Sequence, residues 1–270
     1  MMCTLNPLIP YFKNIEVIDL CEDPLRPCCP APGNEGTIGW TPGGTRTMTV
    51  TLATTQELEL RNRAFRAVAP LSDSDLSALP PPQRVTVPAG GVFLRAGENA
   101  HKAGLVVAGA LREFFVLADG SERTKGFNLP GEFAGSLSDL LSSEPSRVWI
   151  AAERATVLLV TPWEAYLDLV EQHPAWGRFA RRMAERLYRA KAQREYELLA
   201  LDAAARYRLA LERWPDLEQH FTQRAIASYI GITPVHLSRL RRNQEKPASA
   251  AGTNRAVPQK RRGRKASQKI

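Results

Sequence analysis

Apolar positions near the end of the chain recur at helical spacing. Ile226, Ala227 and Ile230 make one stripe, Ile232, Leu237 and Leu240 another, and Gly231 stands between them. Ala227 falls where two short helices cross at close range, and Gly231 suits a helix end that needs a positive φ. Thr233 can cap the second helix, with Pro234 at its first position, where the missing amide hydrogen costs nothing. This order predicts a helix-turn-helix over 223–242, a unit whose second helix reads the DNA major groove.

Upstream the pattern changes period. Residues 58–67 and 72–79 suit two short helices, and Pro80-Pro81-Pro82 ends helical structure. Short alternating strands follow over 84–87, 92–95, 104–107, 111–117, 123–128, 148–152 and 157–160, separated by glycine turns, with Asp119-Gly120 the sharpest hairpin signal. That predicts a small barrel or jelly roll. A helix starts at Pro162, is interrupted at His173-Pro174, and gives way to a long helix over 175–201. Its apolar stripe is Trp176, Phe179 or Ala180, Met183, Leu187 and Ala190; Arg178, Arg181, Arg182, Glu185, Arg186 and Arg189 take the other face. So charged a helix needs a partner for its stripe, either the same helix of a second copy or the barrel itself. Another helix is expected over 202–214.

Composition changes this picture in three places. The net charge of +8 is not spread evenly: from Arg239 onward there are eleven Lys or Arg against one acid, Glu245, so everything before that point carries about −2. A polyanion would meet the chain at the second helix and the tail. All four cysteines, Cys3, Cys21, Cys28 and Cys29, lie near the start, and the adjacent pair suits no usual structural zinc spacing, so no metal is expected. No apolar run approaches the roughly 18 residues of a membrane span, and the start lacks the pattern of a secretory signal; a cytoplasmic location without membrane contact is expected.

Barrel, long helix and helix-turn-helix, in that order, resemble the Crp/Fnr family of bacterial transcription regulators. The likeness is carried by LRAGE (94–98), VVAGALREFFVLADGSE (106–122), PGEFAGSLSDLL (130–141), PSRVWIAAE (145–153) and IASYIGITPVHLSRLRR (226–242). The resemblance implies an α+β fold: a cyclic-nucleotide-binding-like β-barrel (jelly roll), a long dimerisation helix and a C-terminal helix-turn-helix. It further implies a homodimer on a palindromic operator of double-stranded DNA, a small-molecule effector at the barrel, and RNA polymerase as a partner. Its ligand segment matches Gly131, Glu132, Ser136, Ser146 and Arg147 here. Family members that bind cyclic AMP use a glutamate where this chain has Ser136 and an arginine where it has Ser146, with Arg147 one residue later. A serine lacks the charge and bidentate fork of a guanidinium, and a one-residue shift in a strand reverses the face. No cofactor is therefore expected, cyclic nucleotide included. The barrel also lacks the cysteine of the oxygen-sensing members, and His101 is its one histidine, read here as a loop residue rather than a haem ligand.

On the second helix Leu237 and Leu240 point inward, leaving Val235, His236, Ser238, Arg239 and Arg242 outside. By the family match Pro234, Val235 and Arg239 sit at base-reading positions. Arg239 can pair bidentately with guanine, whereas Val235 offers only apolar contact. Thr222, Gln223, Ser228 and Thr233 complete the expected DNA surface, with a solvated surface as the alternative for the first three. The tail has no strand signal, and its KRRGRK run resembles a minor-groove arm. The expected organisation is a disordered extension over 1–54, with Met48 as an alternative start, then the barrel over 55–172. The dimerisation helix over 173–202, the helix-turn-helix over 203–243 and a disordered basic tail over 244–270 complete it. A ligand-sensing module acting through a protein partner is the alternative function. An enzyme of the cupin type is excluded, because three of the four histidines, His173, His220 and His236, fall outside the barrel.

Overall fold

The computed structural model describes residues 48–142 and 144–244. Expectations that fall on 1–47 and 245–270, including the cysteines and the basic run, lie outside the described residues. Helix α1 (Thr55–Arg66) starts with a reciprocal cap: Thr54 Oγ1 accepts from Glu57 N at 3.3 Å, and the Glu57 carboxylate accepts from Thr54 N at 2.9 Å. That carboxylate also takes Arg84 Nε at 2.9 Å, which fastens α1 to the first long strands. Ser72 and Asp75 make the same reciprocal cap on α2 (Asp73–Ala78).

The strands are β1 (Thr49–Thr51), β2 (Gln83–Val87), β3 (Val92–Leu94), β4 (Lys102–Val116), β5 (Glu122–Asn128), β6 (Phe133–Ala134) and β7 (Trp149–Pro162). All pair antiparallel, in the order β1-β2-β7-β4-β5, with β3 on β7 and β6 on β4. Two pairs of expected short strands are single long ones, β4 and β7. Their ladder shifts register around Ala108 and Ala110, so the sheet bends without breaking. Gly109 makes that bend possible: its φ is +90°, and a Cβ there would lie 2.3 Å from Ala155 O. The buried Thr156 hydroxyl fills the gap, accepting from Ala110 N at 3.0 Å and donating to Arg154 O at 2.7 Å. The expected disorder over 1–54 is corrected for residues 49–51, which pair with Arg84, Val85 and Thr86. Threonines flanking Val50 are good strand formers, and an open edge of β2 was there to receive them.

Helices α3 (Leu137–Ser142), α4 (Trp163–Gln172), α5 (Pro174–Ala200), α6 (Ala203–Arg213), α7 (Leu217–His220), α8 (Gln223–Ile230) and α9 (Pro234–Gln244) complete the α+β fold. Three apolar clusters hold it. Val85, Val106, Ile150 and Leu158 fill the barrel. Phe65, Leu76, Leu169, Trp176 and Phe179 lock α1, α2 and α4 onto the start of α5. The third cluster belongs to α6–α9 but includes Ala110 and Phe127 from the barrel.

The second cluster corrects the dimerisation stripe. Trp176 is fully buried and Phe179 is 4% exposed, and Trp176 Nε1 donates to Asp75 O at 3.0 Å. Neither is free for a second copy. Periodicity alone assigned one stripe to the whole helix, whereas its first two turns are consumed inside the protomer. Ala180 and Met183 are half-buried, and Leu187 and Ala190 are exposed.

Candidate nucleic-acid interface

Helix α8 begins at Thr222, whose hydroxyl accepts from Ala225 N at 3.2 Å. It ends at Gly231 with φ +81°, in the left-handed region that glycine takes without a Cβ penalty. Gly231 N and Ile232 N both donate to Ala227 O, at 2.9 and 3.0 Å, closing the turn. Thr233 Oγ1 accepts from His236 N at 3.2 Å, so α9 is capped as its sequence requires. Ala227, Ile230 and Leu237 are fully buried where the two helices cross.

This packing sets what faces outward. Thr222, Gln223, Thr233, Pro234, Val235, His236, Arg239 and Arg242 are exposed, and Ser238 is half-buried, its hydroxyl accepting from Arg242 at 3.4 Å. Arg239 therefore projects freely, one turn beyond Val235 on the same side. The exposed Arg224, in the first turn of α8, adds a cation that the apolar pattern did not single out. Arg241 instead pairs with Glu218 at 3.0 Å. Ser228 is a correction: its hydroxyl accepts from Thr124 N at 2.9 Å and lies 3.2 Å from Glu122 O, to which it donates, on β5. It joins α8 to the barrel and is not offered to a phosphate. Spacing placed it on a polar face; only the docking of that face on β5 decided its role.

The unit is anchored by charge as well as by its core. Glu197, 1% exposed on α5, receives Arg213 at 2.7 Å and Arg194 at 3.3 Å. Arg213 continues to Tyr229 Oη at 2.6 Å, and the Arg194 guanidinium lies 3.9 Å from the Tyr229 ring centroid while donating to Tyr229 O. Arg206 donates to Ile230 O at 2.8 Å. The barrel contributes Phe127, whose ring centroid is 4.2 Å from Phe221, 5.3 Å from Trp214 and 5.4 Å from Tyr229.

The expected ligand segment is laid out differently from a nucleotide cradle. Ser146 is 2% exposed and donates to Asp139 Oδ2 at 2.5 Å while accepting from Val148 N at 3.0 Å. The position that would need a guanidinium thus has a hydroxyl already bound to a carboxylate, which repels a phosphate. Ser136 is fully buried, with its hydroxyl 3.3 Å from that of Ser138, and Arg147 is exposed. Gly131 sits at φ +91° in the turn after β5. Glu132 turns toward the helical unit: its carboxylate accepts from Leu129 N at 2.8 Å and from Trp214 Nε1 at 3.1 Å. Burial pushes this carboxyl above its ordinary range, against the hydrogen bonds from Leu129 N and Trp214 and the field of Arg186, all of which pull it down. These residues do not fit a cyclic nucleotide. His101 Nδ1 lies 3.2 Å from Asn99 O, and among the described residues no three His, Cys, Asp or Glu side chains gather as a metal site.

Residues 84–173 match the family model for the cyclic nucleotide-binding domain. The chain carries that domain. No curated protein matches the sequence. FixK2 from Bradyrhizobium japonicum aligns with 59% of this chain and 82% of its own at 20% identity and a TM-score of 0.52. The c-di-GMP responsive global regulator CLP of Xanthomonas campestris aligns with 64% and 92% at 17% identity and a TM-score of 0.51. A crp/fnr-family protein from Eubacterium rectale aligns with 70% and 87% at 20% identity and a TM-score of 0.50. The fold is thus that of Crp/Fnr regulators, built on a cyclic nucleotide-binding domain. Among the described residues no helix is long and apolar enough to cross a membrane.

Proposed function

We propose that the chain is a sequence-specific DNA-binding transcription regulator that acts as a homodimer on a palindromic operator in the cytoplasm. The observation that carries this reading is the capped, glycine-terminated α8–α9 pair, with Arg239 and Val235 projecting from α9 while the opposite face is locked to α5 and the barrel. Arg239 reads guanine, and Thr222, Gln223, Thr233, His236 and Arg242 position the unit on phosphates and neighbouring bases. The dimer forms through the second half of α5. Tyr188, Tyr196 and Leu199 fall on one face there, with Tyr188 73% and Leu199 80% exposed, an apolar strip that a lone protomer leaves in water. The Ser146 hydroxyl, at the position the resemblance matches to an arginine, donates to Asp139, which favours a signal other than a cyclic nucleotide. RNA polymerase is the output partner that the family resemblance implies.

DNA-affinity sequencing with the purified full chain tests the reading. A two-fold site with half-sites about one helical turn, roughly 34 Å, apart is expected. Recovery of no enriched sequence would overturn it and leave the protein-partner alternative standing.

A further inference from the structure

A cleft of about 440 Å³ lies between the turn after α1 and the middle of α5, lined by Ala67, Val68, Arg182, Glu185, Arg186 and Arg189. Its size is that of a small-molecule site. Three guanidiniums share one helix face at steps of four and three residues, close enough to repel one another. No ion pair among the described residues engages Arg182, Arg186 or Arg189, and the only acid in the lining, Glu185, is held by Arg181. The Arg189 Nε donates to a backbone carbonyl, that of Glu185, at 3.4 Å. The cleft therefore concentrates unneutralised, fork-shaped donors beside Ala67 and Val68.

We propose that this cleft binds a small molecule bearing at least two phosphate charges and that it is the effector site of the regulator. The proposal rests on the functional reading above for its regulatory part. Guanidiniums favour phosphate by bidentate geometry, and three of them around one concavity suit a diphosphate better than a single carboxylate. The barrel segment that the resemblance matches to a phosphate site presents Asp139 instead. DNA is the poorer occupant. Arg182 is fifteen residues from Glu197 along α5, about 22 Å at 1.5 Å per residue, and Glu197 is where the reading unit is anchored. The site has a physical route to that unit. Arg186 acts electrostatically on the carboxylate of Glu132, whose bond to Trp214 joins the barrel to α6–α9. An anion over Arg186 neutralises that influence and weakens the charged form of Glu132.

Calorimetric titration of the full chain with inorganic phosphate and pyrophosphate, without divalent cation, tests the site. Saturable binding of pyrophosphate at least tenfold tighter than phosphate is expected. Arg182→Gln/Arg186→Gln should weaken pyrophosphate at least tenfold, and Lys191→Gln, on another face of the same helix, should leave it unchanged. Both arginines are exposed, so the double variant should keep the melting temperature of the parent. Equal pyrophosphate affinity in parent and double variant would show that the anion is held elsewhere, as on the basic tail, and would overturn the proposal; so would an absence of saturable binding. Loss of this site with operator selection intact separates its failure from that of the DNA-binding reading.

Discussion

Phe127→Ala tests whether the barrel is part of the core of the DNA-reading unit. Phe127 belongs to β5 yet is 3% exposed among Trp214, Phe221 and Tyr229, all from the helical unit. Truncating a buried phenylalanine costs about 3–5 kcal/mol, and each aromatic pair lost contributes about 0.5–1.5 kcal/mol of that total. The cost should fall on the joint rather than on the barrel, because the ring points away from the interior cluster of Val106, Ile150 and Leu158. Native-state hydrogen exchange resolves the two. Amides of α8 should exchange roughly 10²–10³-fold faster in the variant, since every 1.4 kcal/mol is a factor of ten, while β2 and β7 keep their protection. Leu158→Ala, at about 2–5 kcal/mol, should show the reverse order. Unchanged α8 protection in Phe127→Ala, or equal loss in α8 and β7, would refute the assignment of this ring to the helical unit.

Glu197→Ala leaves Arg213 and Arg194 without their buried carboxylate and should destabilise by about 3–5 kcal/mol, read by chemical denaturation of the helical unit. Arg239→Ala should cost roughly 1–3 kcal/mol of base discrimination in competition binding, relaxing preference at one position of each half-site. Ser228→Ala should loosen the α8–β5 joint by about 1 kcal/mol and leave the salt dependence of DNA binding unchanged; a reduced salt slope would restore the residue to the phosphate surface. Glu132 has a folded-state pKa raised by burial, so its contribution to stability is full below the unfolded value of about 4.3 and is lost as pH rises through the folded value. Glu132→Gln should flatten thermal stability across that window, and an unaltered pH profile would deny the raised value.

Much of the fold was legible in the residues. The cap at Thr233, the positive-φ Gly231 and the stripe through Ile226 and Ile230 are local signals, and local hydrogen bonding suffices to realise them. Ser136 and Ser146, standing where the resemblance leads one to expect a glutamate and an arginine, were also visible, because they concern the chemistry of single side chains. What the chain alone left open required knowing which surfaces meet. Two strands were read as four because a bulge at Gly109 mimics a turn until its partner strand is in place. Trp176 and Phe179 read as part of a dimerisation stripe because helical period gives a direction and not a neighbour. The turning of Ser228 and Phe127 into a joint between barrel and reading helices depends on pairs 104 and 102 residues apart, such as Thr124 with Ser228 and Phe127 with Tyr229. Short-range patterning specifies elements through backbone sterics and side-chain period; the assignment of each face to core, joint or solvent is a long-range outcome that only the packed structure decides.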